Sequence, residues 1–374
     1  MNYFIPFSSA LVISMILTGF LRNVGVRYGL MSTPRARDIH KKPVPRIGGL
    51  AIFFSFLVIS LISFGAISNG FSFHSGEWFG MDKHIASILL GGVFISLPML
   101  LDDIFGLKAW QKLIFQLIAT FIIIASGIGI DTLANPFGEA INLNSVYIPL
   151  LTFRGVVYHF SLWSDLLTLI WMIGMMNVIN FIDGVDGLAG GVSAIACFTI
   201  FLLSISLAVN QPSVALMSII LAGSCVGFLV WNFPPAKIFM GDTGSAFLGF
   251  MLGVLPLVSG GKLATAFLVL GFPIIDGLLV SAGRIYRREN PFTTPDKTHL
   301  HHRFLRAGFS SRRAILSIYI ISAAFGWVAL RSTTQNKMIA AIVLILLLVA
   351  ITRILNYLAA RKSLGHKRQE AITK

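Results

Sequence analysis

Apolar runs of about twenty residues recur from one end of this 374-residue chain to the other, and no other feature limits its fold so strongly. In hydrocarbon, every backbone N–H and C=O must be satisfied within the protein, so only helices or closed barrels can cross. Unbroken apolar runs of this length fit helices. Composition agrees, since 12% of residues are charged against about a quarter in soluble proteins. We place spans at roughly 2–21, 48–66, 85–101, 112–130, 164–182, 188–208, 213–231, 244–260, 263–282, 313–330 and 338–358. The expected fold is an all-α polytopic integral membrane protein with about eleven transmembrane helices. The first span is read as retained rather than removed as a signal peptide. The connection from Asp131 to Trp163 is long enough for a short strand or an interfacial helix. Cys197 and Cys225 both lie in apolar runs, so neither a disulfide framework nor a CxxC metal site is expected.

A net charge of +14 first suggests nucleic acid, but its distribution argues for a bilayer instead. Connections that follow odd-numbered spans carry 23 Lys and Arg, and those that follow even-numbered spans carry 5. By the positive-inside rule, the connections after odd-numbered spans are cytoplasmic, the N-terminus is periplasmic and the C-terminus is cytoplasmic. That parity puts Asp102 and Asp103, then Asp183 and Asp186, then Asp242, and finally the segment HLHHRF on one face. One cytoplasmic-facing polar site accounts for this economically.

The centre of that site is Asn177 to Gly191, NVINFIDGVDGLAGG, where Asn177, Asn180, Asp183 and Asp186 recur at a spacing of three. On a straight helix such a row drifts by about 60° per step, so its ends face opposite sides. Four nearby glycines suggest that the helix opens and lets the row curl around one cation or nucleotide. An ordinary polar turn is the plainer alternative.

LDDIFGL places Asp102 and Asp103 side by side, pointing about 100° apart, so the two can serve different partners. Lys112 and Gln116 follow on one face of the next span; such a Lys is usually an anchor but here could hold a phosphate. In FMGDTGS, Asp242 is flanked by glycine and suits a hard cation, beyond a plain N-cap role. Asp276 is a costly carboxylate inside a span, with its role open between structure and function. His299, His301, His302 and Arg303 lie in a loop dense in Arg and Lys. The histidines read first as a transition-metal site, but the surrounding cations favour phosphate and sugar recognition. The first cytoplasmic connection offers His40, Lys41 and Arg46 ahead of Gly48 and Gly49, either as a seat for a lipid phosphate or as a plain orientation signal.

Paired Asp, an Asn/Asp row, a metal-type Asp and phosphate-binding cations in a membrane setting fit phosphoryl transfer between a soluble nucleotide and a lipid phosphate. LDDIFGL, NVINFIDGVDGLAGG, FMGDTGS and HLHHRF, in that order, together with RARDIHKKPVPRIGGL, resemble the signatures of the polyprenyl-phosphate N-acetylhexosamine-1-phosphate transferase family, glycosyltransferase family 4. The resemblance covers residues 1–358, a single transmembrane catalytic domain, and leaves 359–374 as a basic cytoplasmic tail. It implies transfer of a sugar-1-phosphate from a UDP-sugar to undecaprenyl phosphate with release of UMP, at the cytoplasmic face of a bacterial inner membrane, with Mg²⁺ or alternatively Mn²⁺. It further implies that Asp102, Asp103 and Asp242 are catalytic, with Asp242 and Asp103 toward the metal. Lys112, Asn177, Asn180, Asp183, Asp186, His299, His301, His302 and Arg303 would bind the donor. HLHHRF resembles the branch acting on UDP-N-acetylglucosamine, which initiates O-antigen and enterobacterial common antigen in lipopolysaccharide-type synthesis. Another UDP-N-acetylhexosamine is the alternative, and a membrane transporter is the alternative from another class. The expected partners are the donor, undecaprenyl phosphate and the bilayer, with no nucleic acid and a homo-oligomer left open.

Overall fold

A computed structural model of the chain describes residues 2–32, 43–66, 76–78, 81–133, 135, 138–153, 156–207, 209–259, 263–288, 299–332 and 334–372. The helices are α1 (Phe4–Arg27), α2 (Gly49–Ala66), α3 (Lys83–Phe105), α4 (Ala109–Ala125), α5 (Leu162–Ile182), α6 (Leu188–Ser204), α7 (Pro212–Asn232), α8 (Gly241–Val258), α9 (Leu263–Val269), α10 (Gly271–Tyr286), α11 (Leu300–Arg306), α12 (Ser311–Arg331) and α13 (Thr334–Ile372). Among the described residues, seven stretches are long and apolar enough to cross a membrane: α1, α3, α5, α7, α8, α12 and Ile339–Lys362 of α13. Gly49–Gly65, Ala109–Ala125 and Leu188–Ser204 are shorter apolar helices. The protein is therefore an α-helical, multi-pass membrane protein.

Of the two forms expected for the long connection between α4 and α5, the described residues show strands. These form two antiparallel hairpins, Thr132–Leu133 with Ile141–Asn142 and Tyr147–Phe153 with Val156–Ser161. In the second, Tyr147 faces Ser161 and Phe153 faces Val156, with a register shift between Pro149 and Leu151. Two further short ladders pair Met31–Ser32 with Val44–Pro45 and Glu77–Trp78 with Met81–Asp82.

The chain forms two compact units, Met1–Ala266 and Phe267–Lys374. At the centre of the first lies α8, buried from Gly241 to Leu257, with α3 and α5 packed against it. Small residues make this possible. A Cβ at Gly249 would collide with the backbone of Met176 on α5, and Trp171 on α5 donates its indole N–H to the Gly253 carbonyl at 2.9 Å. Around this centre, α1 packs on α7, and α6 on α7.

Local sequence sets the ends of these helices. Asp82 caps α3 by accepting from the N–H of His84 at 3.0 Å, Pro212 opens α7 where its missing N–H has no intrahelical partner to lose, and Ser310 caps α12 through the Arg313 N–H. In the second unit, α10 packs with α12 and α13, and α11 packs with α12 and α13. The run expected as one span over 263–282 is two helices, α9 and α10, separated at Leu270. Pro273 follows as the third residue of α10, where its missing N–H costs little. Beyond the last expected span, α13 continues as helical backbone through Ile372, so the basic tail is not separate in conformation.

Candidate active site

Two expected spans run farther than their apolar residues alone indicate, and this builds the site. The last turn of α3 carries Asp102 and Asp103, and the first turn of α8 carries Asp242. The carboxylates thus stand on helix ends rather than in loops. Their oxygens come together, with one ligand atom from each of Asp102, Asp103 and Asp242 lying within 4.8 Å of the others.

Asp103 holds the two helices in register. Its Oδ1 accepts the Asp242 N–H at 2.7 Å, and its Oδ2 accepts the Thr243 N–H at 2.9 Å and the Thr243 hydroxyl at 2.6 Å. It acts as an N-cap carboxylate supplied by another helix, which satisfies donors at the start of α8 and places negative charge at the positive end of its dipole. The geometry explains Gly241 as well. Its φ is +77°, and an added Cβ would lie 2.6 Å from one Asp103 oxygen.

The stretch before α2 is laced to the stretch before α8 through the backbone. Phe239 N–H donates to the Pro45 carbonyl at 2.7 Å, Gly48 N–H to Phe239 at 2.9 Å and Gly49 N–H to Met240 at 2.7 Å. Gly49 and Gly244 cross with no room for a side chain on either. This lacing delivers Arg46, whose Nη2 lies 2.5 Å from Asp242 Oδ1 and whose Nε lies 3.6 Å from Asp103 Oδ1. Burial tends to lower the Arg46 pKa, but Asp242 and Asp103 outweigh it, and the group stays firmly cationic.

From α4, Lys112 places its ammonium 2.5 Å from Asp102 Oδ2 and in contact with Asp242 Oδ2. The other Asp102 oxygen accepts the Leu107 N–H at 2.6 Å. Three carboxylates therefore face two cations. Arg46 and Lys112, read from sequence as lipid-phosphate and donor-phosphate candidates, are here the counter-ions of the acidic cluster. His40 and Lys41, the other lipid-phosphate candidates, lie outside the described residues.

The Asn/Asp row divides at Asp183. Asn177 and Asn180 remain on α5, Asp183 is its C-cap, and the chain opens only from there to Gly187, whose φ is +76°. Asn177 donates to Gln116 Oε1 on α4 at 3.2 Å, and Asn180 donates to Ser245 Oγ on α8 at 2.9 Å. Asp186 Oδ2 accepts the Ala236 N–H at 2.9 Å. Burial pushes the Asp183 carboxyl well above the usual range; Arg46 pulls it down, while Asp242, Asp103 and Asp186 add to the rise.

Asn232 was missed by the sequence reading. Its Oδ1 accepts the Gly187 N–H at 2.8 Å and its Nδ2 donates to the Ile238 carbonyl at 2.8 Å, so it ties the opened turn to the segment leading into Asp242. A lone amide closing an apolar span just before Pro234-Pro235 was the available signal.

A divalent metal fits the acidic cluster by donor chemistry. All candidate ligands are carboxylate oxygens, which suit a hard cation, and the cluster carries more negative than positive charge.

The histidine motif belongs to the second unit. Asp276 on α10 accepts His299 Nδ1 at 2.8 Å and the Leu300 N–H at 2.8 Å. His301 is 1% exposed, and neither ring nitrogen has a hydrogen-bond partner among the described residues. Burial, with His302 and His299 nearby, pushes its pKa well down, so its ring is neutral. The His299 and His301 rings stack at 5.6 Å, and His302 tilts against His301 at 4.3 Å. Arg303 donates to Asn356 on α13 at 3.0 Å.

The profile of glycosyl transferase family 4 matches residues 85–260, which include the three carboxylates, Lys112 and the Asn/Asp row. The chain is 31% identical over 328 residues to a probable undecaprenyl-phosphate N-acetylglucosaminyl 1-phosphate transferase of Bacillus subtilis, covering 86% of this chain and 82% of the relative. It is 31% identical over 337 residues to a decaprenyl-phosphate N-acetylglucosaminephosphotransferase of Mycolicibacterium smegmatis, covering 83% and 77%. It is 30% identical over 297 residues to an undecaprenyl-phosphate alpha-N-acetylglucosaminyl 1-phosphate transferase of Thermotoga maritima, covering 79% of each. With identity of this level sustained over most of both chains, the protein belongs to glycosyl transferase family 4, the polyprenyl-phosphate N-acetylglucosamine-1-phosphate transferase family of phosphoglycosyl transferases.

Proposed function

We propose that this protein transfers N-acetylglucosamine-1-phosphate from UDP-N-acetylglucosamine to undecaprenyl phosphate, forming undecaprenyl-diphospho-N-acetylglucosamine and UMP. The observation that carries this is the convergence of Asp102, Asp103 and Asp242 with Arg46 and Lys112, an arrangement suited to gathering phosphates around a hard cation. The names of the relatives support the sugar and the polyprenyl phosphate. The product would begin an O-antigen or enterobacterial common antigen type polysaccharide. Residues 1–358 would act as one catalytic domain of eleven crossings in the bacterial inner membrane, with the site facing the cytoplasm. The α9–α10 pair would supply the ninth crossing.

In this reading a lipid-phosphate oxygen forms a bond to the β-phosphorus of the donor. The bond between that phosphorus and the bridging oxygen breaks, and UMP leaves with the electron pair. Mg²⁺, held by Asp242 and Asp103 with Asp102 beside them, would neutralise diphosphate charge. Asp102 orients the acceptor phosphate or takes its remaining proton. Lys112 and Arg46, already at the cluster, can turn to phosphate oxygens as these arrive. Asn180, Asp183 and Asp186 hold the uridine end. The test is purified protein with undecaprenyl phosphate and a panel of UDP-N-acetylhexosamines. A lipid-diphospho-N-acetylglucosamine product with release of UMP is expected, and no lipid product from any donor would overturn the reading.

Within the donor, the His299–Arg306 segment would choose the sugar while the Asn/Asp row holds the nucleotide. The buried His301 ring, with both nitrogens unbonded among the described residues, supports the first half, because buried polar groups are nearly always satisfied by some partner. Arg303→Ala is expected to raise the KM for the full donor at least tenfold while UMP inhibition stays close to wild type. Asp186→Ala should weaken every uridine ligand alike, since it also releases the Ala236 N–H. Competition assays with UMP and the full donor check both. Equal weakening of the two ligands by Arg303→Ala would refute the division of labour.

A further inference from the structure

The carboxylate of Asp276 lies 6% exposed on α10, twenty-three residues before the histidine it meets. A buried carboxylate is costly unless hydrogen bonds satisfy it, and these two are both directed at the start of α11. Oδ1 accepts the Leu300 N–H, and Oδ2 meets His299 Nδ1. A carboxylate can only accept, so Nδ1 carries a proton and points at Asp276. The His299 ring in turn stacks on His301 with only 4° between their planes. His301, buried and with no hydrogen-bond partner among the described residues, lies parallel to His299 in that stack and also meets His302 at 4.3 Å.

We propose that Asp276 is a positioning residue of the transferase. It fixes the tautomer and plane of His299, and through the stack the seat of His301, so that the histidine motif presents one defined pattern of donors and acceptors to the sugar donor. The proposal rests on the reading that this motif meets the sugar. It gives the buried carboxylate a task that metal binding and proton transfer at the acidic cluster do not.

Asp276→Asn separates this role from simple helix capping. The Asn carbonyl still accepts the Leu300 N–H, while its amide donates to Nδ1 and drives the His299 proton to Nε2. Four proteins are compared in detergent: wild type, Asp276→Asn, His299→Ala and the double variant. Each is assayed for kcat and for KM with UDP-N-acetylglucosamine, with UMP inhibition and the thermal midpoint as controls. We expect Asp276→Asn to raise the donor KM about tenfold, with the thermal midpoint and UMP inhibition near wild type. In the His299→Ala background the same change should add nothing, because two residues acting as one unit are not additive. Asp276→Glu, which keeps an acceptor-only group, should recover most of the loss.

Full multiplication of the two single effects would overturn the proposal, since Asp276 would then act independently of His299. ¹⁵N-histidine spectra give a readout that does not depend on turnover. Wild type should show a His299 signal protonated at Nδ1, and Asp276→Asn one protonated at Nε2. An unchanged tautomer would also overturn the proposal. If His299→Ala left donor kinetics untouched while the tautomer moved as expected, the contact of the motif with the sugar would fall and the Asp276–His299 coupling would stand.

Discussion

Asp242→Asn should reduce turnover by about a thousandfold at saturating Mg²⁺, the scale on which preorganised charge at a reacting centre acts. Asp242 accepts from Arg46 through one oxygen and from Lys112 through the other, and it completes the set of three carboxylates. Asn keeps the shape but removes the negative charge that holds both cations and a divalent metal together. The fold should survive, because the link from α3 to α8 uses the backbone N–H of Asp242 and the N–H and hydroxyl of Thr243, not the Asp242 carboxylate. A thermal midpoint near wild type, measured beside kcat, therefore separates loss of chemistry from loss of structure. Turnover within a few-fold of wild type would remove Asp242 from the catalytic set.

Asp103 provides the contrast that makes this test informative. Its carboxylate is fully shielded and takes three hydrogen bonds at the start of α8, so any substitution there confounds charge with capping. The family resemblance places Asp103 toward the metal, and the geometry adds a structural part, the capping of α8.

Much of this site was legible because membrane proteins concentrate information in rare residues. A carboxylate or a cation among apolar runs is costly, so Asp102, Asp103, Asp242 and Lys112 stood out before any fold was known. Parity of the Lys and Arg counts then grouped distant motifs on one face, and the structure brings those of residues 102–242 together. What stayed hidden was pairing at long range. Nothing near Arg46 indicates that its partner is Asp242, 196 residues away, and nothing near Asp276 points to His299. Hydropathy also missed the α9–α10 break, because it averages over composition and does not register where backbone hydrogen bonds stop. For the same reason the ends of α3 and α8 were set short of their carboxylates. Polar side chains end an apolar run, but they do not end a helix when another element caps it, as Asp103 does for α8.

Lys112→Gln should lower turnover about a hundredfold and at the same time tighten the binding of a divalent cation in the absence of substrates. The two effects have one cause. The Lys112 ammonium lies between Asp102 and Asp242, where it neutralises two of the three oxygen ligands. A divalent cation entering the cluster has to displace it or share those oxygens, so Lys112 competes with the metal until phosphate arrives to receive it. Once it is removed, the three carboxylates face Arg46 alone. Their mutual repulsion is relieved most effectively by a divalent cation. The side chain of Lys112 is 31% exposed, so water screens part of the effect and the gain in affinity should be several-fold rather than many orders of magnitude. Turnover still falls, because the variant no longer has the charge that would move onto the diphosphate during transfer. Titration of the thermal midpoint with Mg²⁺ or Mn²⁺, without donor or lipid, reads the first effect, and kcat at saturating metal reads the second. A metal requirement that rises in Lys112→Gln would mean that the ammonium does not compete for these oxygens. Its contacts with Asp102 and Asp242 would then belong to the support of the fold rather than to exchange between metal and phosphate.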